Sequence, residues 1–168
     1  MDGVRRPPPD PVGPGQVSVW SFPRPPCREP EPRRLRVRFG GRVIADTTRG
    51  IRVLETSHPP NYYLPLDDVA PDVLTRGAHA SWCEFKGHAH YFTVRVGDRV
   101  APDAAWGYDE PSAGYEDLAG TVAFYAGRMG ECLVDDEVAV AQPGGFYGGW
   151  ITRDVAGPFK GGPGSGGW

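Results

Sequence analysis

The stretch RRLRVRFGGRVIADT, residues 33–47, decides the fold class of this chain. Leu35, Val37 and Phe39 alternate with arginines, which is the pattern of a strand with one buried face. Gly40-Gly41 follows at once, and paired glycines are typical of a tight hairpin turn because both accept a positive φ. The next six residues, RVIADT, return as the second strand. The stretch therefore predicts an antiparallel β hairpin.

Short β-type segments recur along the rest of the chain. Strands are expected in GIRVLET, PNYYLP, SWCEF and HYFTVRV, which are residues 50–56, 60–65, 81–85 and 90–96. Two more strands, joined by a turn, are expected within residues 121–140. A helix over residues 116–129 is the alternative there, but Gly120 and Gly127 weaken it because glycine destabilises helices. The prediction is a mainly β protein with small antiparallel sheets and little helix.

The composition fits one small domain that is rich in turns. The chain has 168 residues, of which 24 are glycine, 19 are proline and 39% are apolar. Its formal charge of −3 gives no long-range attraction to nucleic acid, so nucleic acid is not predicted as a partner. A basic stripe could still contact phosphates, but the outward face of a strand explains it equally well. This stripe consists of Arg33, Arg34, Arg36, Arg38 and Arg42.

The cysteines and the N-terminal sequence bear on the cellular compartment. Cys27, Cys83 and Cys132 are odd in number and lack CxxC spacing, which argues against a disulfide framework and a structural zinc site. The N-terminus has no apolar signal-peptide core, and no later run is long enough to span a bilayer. We therefore expect a cytoplasmic protein with no membrane partner. No cofactor is predicted, and the oligomeric state is left open.

Composition shifts divide the chain into four predicted parts. Residues 1–16 are rich in proline and are expected to be disordered. Residues 17–33 are expected to form an extended arm whose Trp20 and Phe22 dock onto the domain. Residues 34–141 are expected to form the core. Residues 142–168 are a Gly-rich extension that still carries large aromatic side chains, so they are not expected to be a free linker.

The central part of the sequence resembles a known bacterial family. VRFGGRVIADTTRGIRVLETSHPPNYYLPLDDV, residues 37–69, is similar to the first half of the family described as domain of unknown function 427 (DUF427). ASWCEFKGHAHYF (80–92), APDAAWGYDEP (101–111) and AGTVAFY (119–125) are similar to its second half. The resemblance covers roughly Leu35 to Val138. It implies a β-tent fold, a bent arrangement of small antiparallel sheets, and it implies little about activity.

The two ends of the chain extend this resemblance. VWSFPRPP, residues 19–26, and WITRDVAGPFKGGPGSGGW, residues 150–168, are similar to extensions found on a longer branch of the family. The tripeptide Phe-Lys-Gly occurs at residues 85–87 and again at residues 159–161. If the tail folds back beside the first copy, Lys86 and Lys160 will line one electropositive cavity mouth.

The segment ASWCEFKGHAHYF raises the question of a metal site. His88 and His90 are two residues apart, so on a strand they face the same side. Zinc or iron needs further ligands, and His58, His79, Cys83 and Glu84 are the available candidates. They form no recognisable ligand spacing, so no metal site is predicted. Packed or solvated histidines are the favoured interpretation.

Cys83 and Lys86 raise the question of a reactive group. Lys86 lies three residues after Cys83, and a basic neighbour can lower the pKa of a thiol and make it a nucleophile. A small buried side chain on a strand is the favoured interpretation of Cys83. If the pocket is catalytic, the candidates are Lys86, Glu55 and Cys83, with His88 as an alternative to Cys83.

An aromatic and polar set gives the predicted ligand site. Its members lie in the segments that carry the family resemblance: Glu55, Tyr62, Tyr63, Lys86, Trp106 and Tyr108. A bent sheet can gather them on one concave face, with aromatic contact area and a few orienting polar groups. The predicted function is binding of a small polar or anionic ligand on that face. An enzyme of transferase or hydrolase type using the same pocket, and a protein-interaction module using both ends of the chain, are the alternatives.

Overall fold

The structure is a computed structural model that describes residues 5–168, so the first four residues of the segment predicted to be disordered lie outside it. The predicted fold class is confirmed, because the protein is mainly β and is built from small antiparallel sheets. Helical structure in the described residues is limited to 3-10 turns at Val19–Ser21, Leu66–Asp68, Glu116–Leu118 and Ala126–Arg128. No helix in this part of the chain is long and apolar enough to cross a membrane.

The strands of residues 5–168 are numbered in chain order. They are β1 (Val17–Ser18), β2 (Cys27–Glu31), β3 (Leu35–Phe39), β4 (Arg42–Thr47), β5 (Gly50–Leu54), β6 (Asn61–Pro65), β7 (Leu74–Cys83), β8 (Gly87–Val96), β9 (Arg99–Gly107), β10 (Thr121–Phe124), β11 (Glu131–Val134), β12 (Glu137–Val138), β13 (Val140–Ala141), β14 (Trp150–Ile151) and β15 (Val155–Ala156). The largest sheet within the described residues has the strand order β2-β5-β6-β10-β9-β8-β7. A second sheet has the order β12-β11-β3-β4.

The hairpin that the opening sequence motif predicts is present as β3 and β4. Leu35 pairs with Thr47 and Phe39 pairs with Arg42 across it, with a register shift between Val37 and Arg38. Gly40 and Gly41 have φ values of 59° and 76°, the left-handed conformation that the paired glycines predicted. The buried side chains of β3 point into the main hydrophobic core.

Both ends of the chain pair with each other or with the core. β1 runs parallel to β15, with Val17 opposite Val155. β2 adds to the edge of the largest sheet through β5, although it precedes Arg34, where the sequence placed the start of the core. β13 and β14 pair within the Gly-rich region, and Trp150 of β14 is fully buried in the main core. The arm and the tail are therefore packed parts of the described structure.

Some boundaries differ from those that the sequence predicted. The two-strand interpretation of residues 121–140 is confirmed by β10 and β11, and the alternative helix over 116–129 does not form. β7 begins at Leu74, well before the predicted strand, and bulges between Arg76 and Ala80. β9 contains Pro102, a residue that argues against a regular strand, and it lies within a bulge of β9 between Ala101 and Ala105.

The largest sheet separates two hydrophobic clusters. Adjacent residues of β6 point to opposite faces, so Tyr62 and Leu64 enter the main core while Tyr63 enters a smaller aromatic cluster. The smaller cluster also contains Trp106 and Tyr108 from β9 and the segment after it. This aromatic cluster forms the floor of the cavity described next.

Candidate functional site

A cavity of about 390 Å³ opens between the β7–β8 hairpin, the end of β9 and the C-terminal tail. Four predicted site residues line it directly, namely Glu55, Lys86, Trp106 and Tyr108, and the catalytic candidate Cys83 does so as well. The Gly-rich tail supplies one wall through Phe146, Tyr147, Gly148 and Lys160. The cavity thus combines residues that are more than 100 positions apart in the sequence.

Two of the predicted ligand-binding residues do not line the cavity. Tyr63 is fully buried one layer behind it, where its hydroxyl lies 3.3 Å from Trp106 Nε1 and 3.5 Å from Lys86 Nζ. Tyr62 lies on the opposite face of β6, against Trp150, with its hydroxyl accepting a hydrogen bond from Arg33. The strand alternation that separates these two neighbours is readable from the sequence.

Lys86 brings an ammonium group to the buried end of the cavity. It lies in the turn of the β7–β8 hairpin, next to Gly87, whose φ of 108° permits the bend. The residue is only 7% exposed, and Nζ lies 6.0 Å from the ring centroid of Tyr63 and 5.8 Å from that of Tyr108. Its 3.5 Å contact with the Tyr63 hydroxyl is at the outer limit of a hydrogen bond. Among residues 5–168, no carboxylate lies within ion-pair distance of it.

The protonation state of Lys86 follows from two opposing effects. Burial lowers the pKa of the ammonium group, because a charge is less stable away from water. Electrostatic attraction to Tyr63, Cys83 and Glu55 outweighs burial, and the net pKa is raised above its ordinary value. Lys86 is therefore a cation at neutral pH.

The second lysine reaches the same cavity from the tail. Lys160 Nζ lies 5.5 Å from the ring centroid of Tyr147, and the main-chain N–H of Lys160 donates to the carbonyl of Ser57. This contact fixes the tail beside the loop that follows β5. The arrangement of Lys86 and Lys160 around one cavity, expected for a tail that folds back, is confirmed. The 168 residues contain no other lysine.

His58 is held in one neutral form beside the cavity. The side-chain amide of Gln142 is oriented by its other contacts, since Oε1 accepts from the N–H of Gly149 and Nε2 donates to the carbonyl of Lys160. Nε2 of Gln142 therefore donates to Nδ1 of His58, at 2.9 Å. This leaves the proton of His58 on Nε2, the ring nitrogen nearest Glu55.

Burial and nearby positive charge keep His58 neutral. The pKa of the imidazole is lowered to about 3, first by burial and then by the charges of Lys160, Arg24 and Lys86. Three cations therefore surround this one ring. The hydrogen bond that Gln142 donates to Nδ1 also favours the neutral ring, because that nitrogen must be unprotonated to accept it.

Glu55 supplies the balancing negative charge at the cavity mouth. Its Oε2 lies 3.4 Å from Arg24 Nη2 and 3.6 Å from His58 Nε2. Arg24 belongs to the N-terminal arm, and it also donates to the carbonyl of Thr56 at 2.8 Å. Charged residues of the arm (Arg24), the core (Glu55) and the tail (Lys160) therefore line the same cavity.

The histidines of the hairpin are not assembled into a ligand set. His88 is exposed and packs on Trp82 at 4.5 Å between ring centroids, and His90 lies 3.5 Å from Asp109. His79 packs on Tyr91. Within residues 5–168, no group of three or more His, Cys, Asp or Glu side chains is arranged to hold a metal ion.

Several cavity residues were not identified from the sequence as site residues. Arg24, Tyr125 and Tyr147 line the cavity, but they lie in the arm, at the end of β10 and in the tail. The sequence signal that could have identified Tyr147 is GGFYGGW, in which two aromatic residues lie between two pairs of glycines. A Cβ on Gly148 would lie 2.0 Å from Cη2 of Trp106, so glycine here lets the tail lie flat on the indole.

Comparison with known proteins identifies the family of the chain. The family model described as Domain of unknown function (DUF427) matches residues 27–135. A comparison with curated proteins finds no match. The matched residues include β2 to β11 and supply Glu55, His58, Lys86, Trp106 and Tyr108, whereas Arg24 and the tail wall lie outside them. The match spans more than half of the chain, so this protein belongs to the DUF427 family.

Proposed function

We propose that this protein is a binding domain for a small anionic molecule, which occupies the cavity with its negative group near Lys86. One observation carries the proposal: Lys86, a residue only 7% exposed, brings its ammonium group to a cavity of about 390 Å³ with one long hydrogen bond, to the Tyr63 hydroxyl. A buried charge is costly unless it is paired, so an anion entering the cavity would supply the missing partner.

The surrounding groups support an anionic ligand. Lys160, Arg24 and the Nε2–H of His58 are all donors or cations at the same cavity, whose lining carboxylates are Glu55 and the exposed Glu84. Aromatic side chains provide the apolar contact area that a small ligand needs for affinity. The raised pKa of Lys86 favours a role as charged anchor over a role as neutral nucleophile.

The test compares wild type with Lys86→Met in a thermal-shift and calorimetric screen. The probes are small carboxylates and phosphate monoesters that differ in their apolar part, all anionic at neutral pH. We expect some of them to stabilise wild type and to bind Lys86→Met at least tenfold more weakly, since a charged hydrogen bond contributes about 1.5–3 kcal/mol. Equal responses from both proteins would refute the proposal.

A control separates loss of binding from loss of folding. Methionine matches the length of the lysine stem without its charge, and replacing a buried charge with an apolar group is often neutral for stability. The ligand-free Lys86→Met protein should therefore melt close to wild type. A control at Arg95, whose side chain is exposed on β8, should leave binding unchanged when it is replaced by methionine.

An enzyme that uses the same cavity is the second candidate. The observation in its favour is the 3.6 Å separation of His58 Nε2 and Glu55 Oε2, a pair that could hold or move a proton beside a bound anion. Hydrolase and transferase substrates built on the best-binding probe would test it. Turnover that falls in Glu55→Gln while binding persists would support catalysis. If wild type shows no turnover, binding remains the supported function.

A further inference from the structure

The walls of the cavity are aromatic to an unusual degree. Eight of its lining residues are Trp, Tyr or Phe, and within residues 5–168 no Leu, Ile, Val or Met lines it. Ala89, Cys83 and Gly148 are the other apolar contributors, and all three are small. Protein cores and apolar pockets ordinarily mix aromatic with aliphatic side chains, so this composition points to a particular shape of ligand.

The aromatic wall contains packed pairs of rings and extends beyond the cavity. Trp106 and Tyr125 lie 4.6 Å apart between ring centroids, and Phe146 and Tyr147 lie 5.0 Å apart. Tyr91, Tyr125, Phe146 and Tyr147 also line a neighbouring cavity of about 350 Å³. A ligand with more than one ring would therefore meet π surface along its length.

An aromatic wall of this kind can attract either a cation or another ring. The protein itself already supplies the cations for these rings. Lys86 lies over the rings of Tyr63 and Tyr108, and Lys160 lies over that of Tyr147. A second cation would be repelled by both lysines. The remaining complementary partner is a flat, conjugated group that packs edge-to-face or offset on the rings.

We infer that the cavity selects planar conjugated anions, such as an aryl carboxylate, over aliphatic anions with the same carbon skeleton. This inference rests on the proposed function, because the anionic group is assigned to Lys86. Packing between aromatic rings contributes beyond the apolar area that is buried, and we expect it to give roughly a threefold to tenfold preference in Kd.

The test uses two carboxylates with one skeleton, 2-naphthoate and decahydronaphthalene-2-carboxylate. Both carry a single negative charge at pH 7, and the saturated probe is the more apolar of the two. Kd values are measured by calorimetry for the full chain in wild type, Phe146→Leu, Tyr125→Leu and Lys86→Met. Phe146 is 68% exposed, so its replacement tests the wall with little risk to folding.

The outcomes separate this inference from the proposed function. Tighter binding of naphthoate, with a preference that shrinks in Phe146→Leu or Tyr125→Leu, would support the inference. Equal Kd values for the two probes, both weakened in Lys86→Met, would overturn the inference and leave the proposed anion site standing. Failure of wild type to bind either probe, or a Kd that is unchanged in Lys86→Met, would overturn both the inference and the proposed function.

Discussion

Gln142 in the C-terminal tail donates a hydrogen bond to Nδ1 of His58, 84 residues earlier, at 2.9 Å. The same side chain also binds the main chain of Gly149 and Lys160. One buried amide therefore fixes the tautomer of a cavity residue and joins three segments. The tail is part of the cavity wall because of contacts such as these.

Replacing Gln142 with methionine should lower the free energy of unfolding by about 2–4 kcal/mol. Methionine preserves the volume, but the N–H of Gly149 and the carbonyl of Lys160 lose their partners inside the protein, and each buried unsatisfied group is costly. Urea denaturation measures the change. Gln16→Met is the control, because the side chain of Gln16 makes two hydrogen bonds at the surface, and it should cost under about 1 kcal/mol. Equal losses of unfolding free energy in the two variants would show that the buried hydrogen bonds of Gln142 contribute no more to stability than those of Gln16 at the surface.

The depressed pKa of His58 predicts a specific dependence of stability on pH. The unfolded chain binds a proton at about 6.5 and the folded protein only at about 3, so between these values the unfolded state binds more protons. Stability is therefore complete above pH 6.5 and is lost as the pH falls, by up to about 1.4 kcal/mol per unit. Carboxylates with a lowered pKa, such as Asp46 and Asp68, lose their contribution only at lower pH.

His58→Asn tests this dependence without removing the acceptor for Gln142. The Asn side-chain oxygen can replace Nδ1, but the residue does not titrate. Between pH 4.5 and 6.5 the unfolding free energy of His58→Asn should fall less steeply than that of wild type. Some slope will remain, because burial also lowers the pKa of His90. A variant at exposed His88 should keep the wild-type slope, and identical slopes in all three proteins would contradict the assignment.

The fold was largely predictable because its strands follow local patterns. The alternation of Leu35, Val37 and Phe39 and the paired glycines after them require no knowledge of distant residues. β9 was missed because Pro102 and Asp103 break the pattern, and Asp103 has a φ of 49° that only the surrounding sheet explains. Tertiary pairing of β9 between β8 and β10 decides its conformation.

The candidate site was predictable only in part, because the arm and the tail, which are distant in sequence, supply some of its lining residues. Lys86, Trp106 and Glu55 could be grouped from the sequence because they share one predicted bent sheet and carry ligand-binding chemistry. The contributions of Arg24 and Tyr147 depend on how the arm and tail return to the core. Contacts between residues so far apart leave no periodic signal in a single sequence.

Gly148→Ala should disturb the cavity wall and the stability together. A Cβ at this position would lie 2.0 Å from Cη2 and 2.4 Å from Cζ3 of Trp106, so the tail must move away from the indole. Overpacking of this kind costs about 1–3 kcal/mol, and probe binding should weaken as the wall shifts. Gly162→Ala is the control, because a Cβ there meets no atom within 4 Å. If both alanine variants retain wild-type stability and binding, the tail does not pack on Trp106.

Trp150→Ala tests whether the C-terminal tail is packed on the core or is free to bind a partner. Trp150 is fully buried in the main core, and its Nε1 donates to the carbonyl of Phe124 at 2.9 Å. Truncating a buried tryptophan costs about 3–5 kcal/mol, which corresponds to a fall of roughly 10 °C in Tm for a domain of this size. Phe146→Ala is the matched control in the same tail, because its side chain is 68% exposed and its loss should change stability by under about 0.5 kcal/mol. A melting temperature that is unchanged by Trp150→Ala would mean that the tail is free, and would favour its use as an interaction segment.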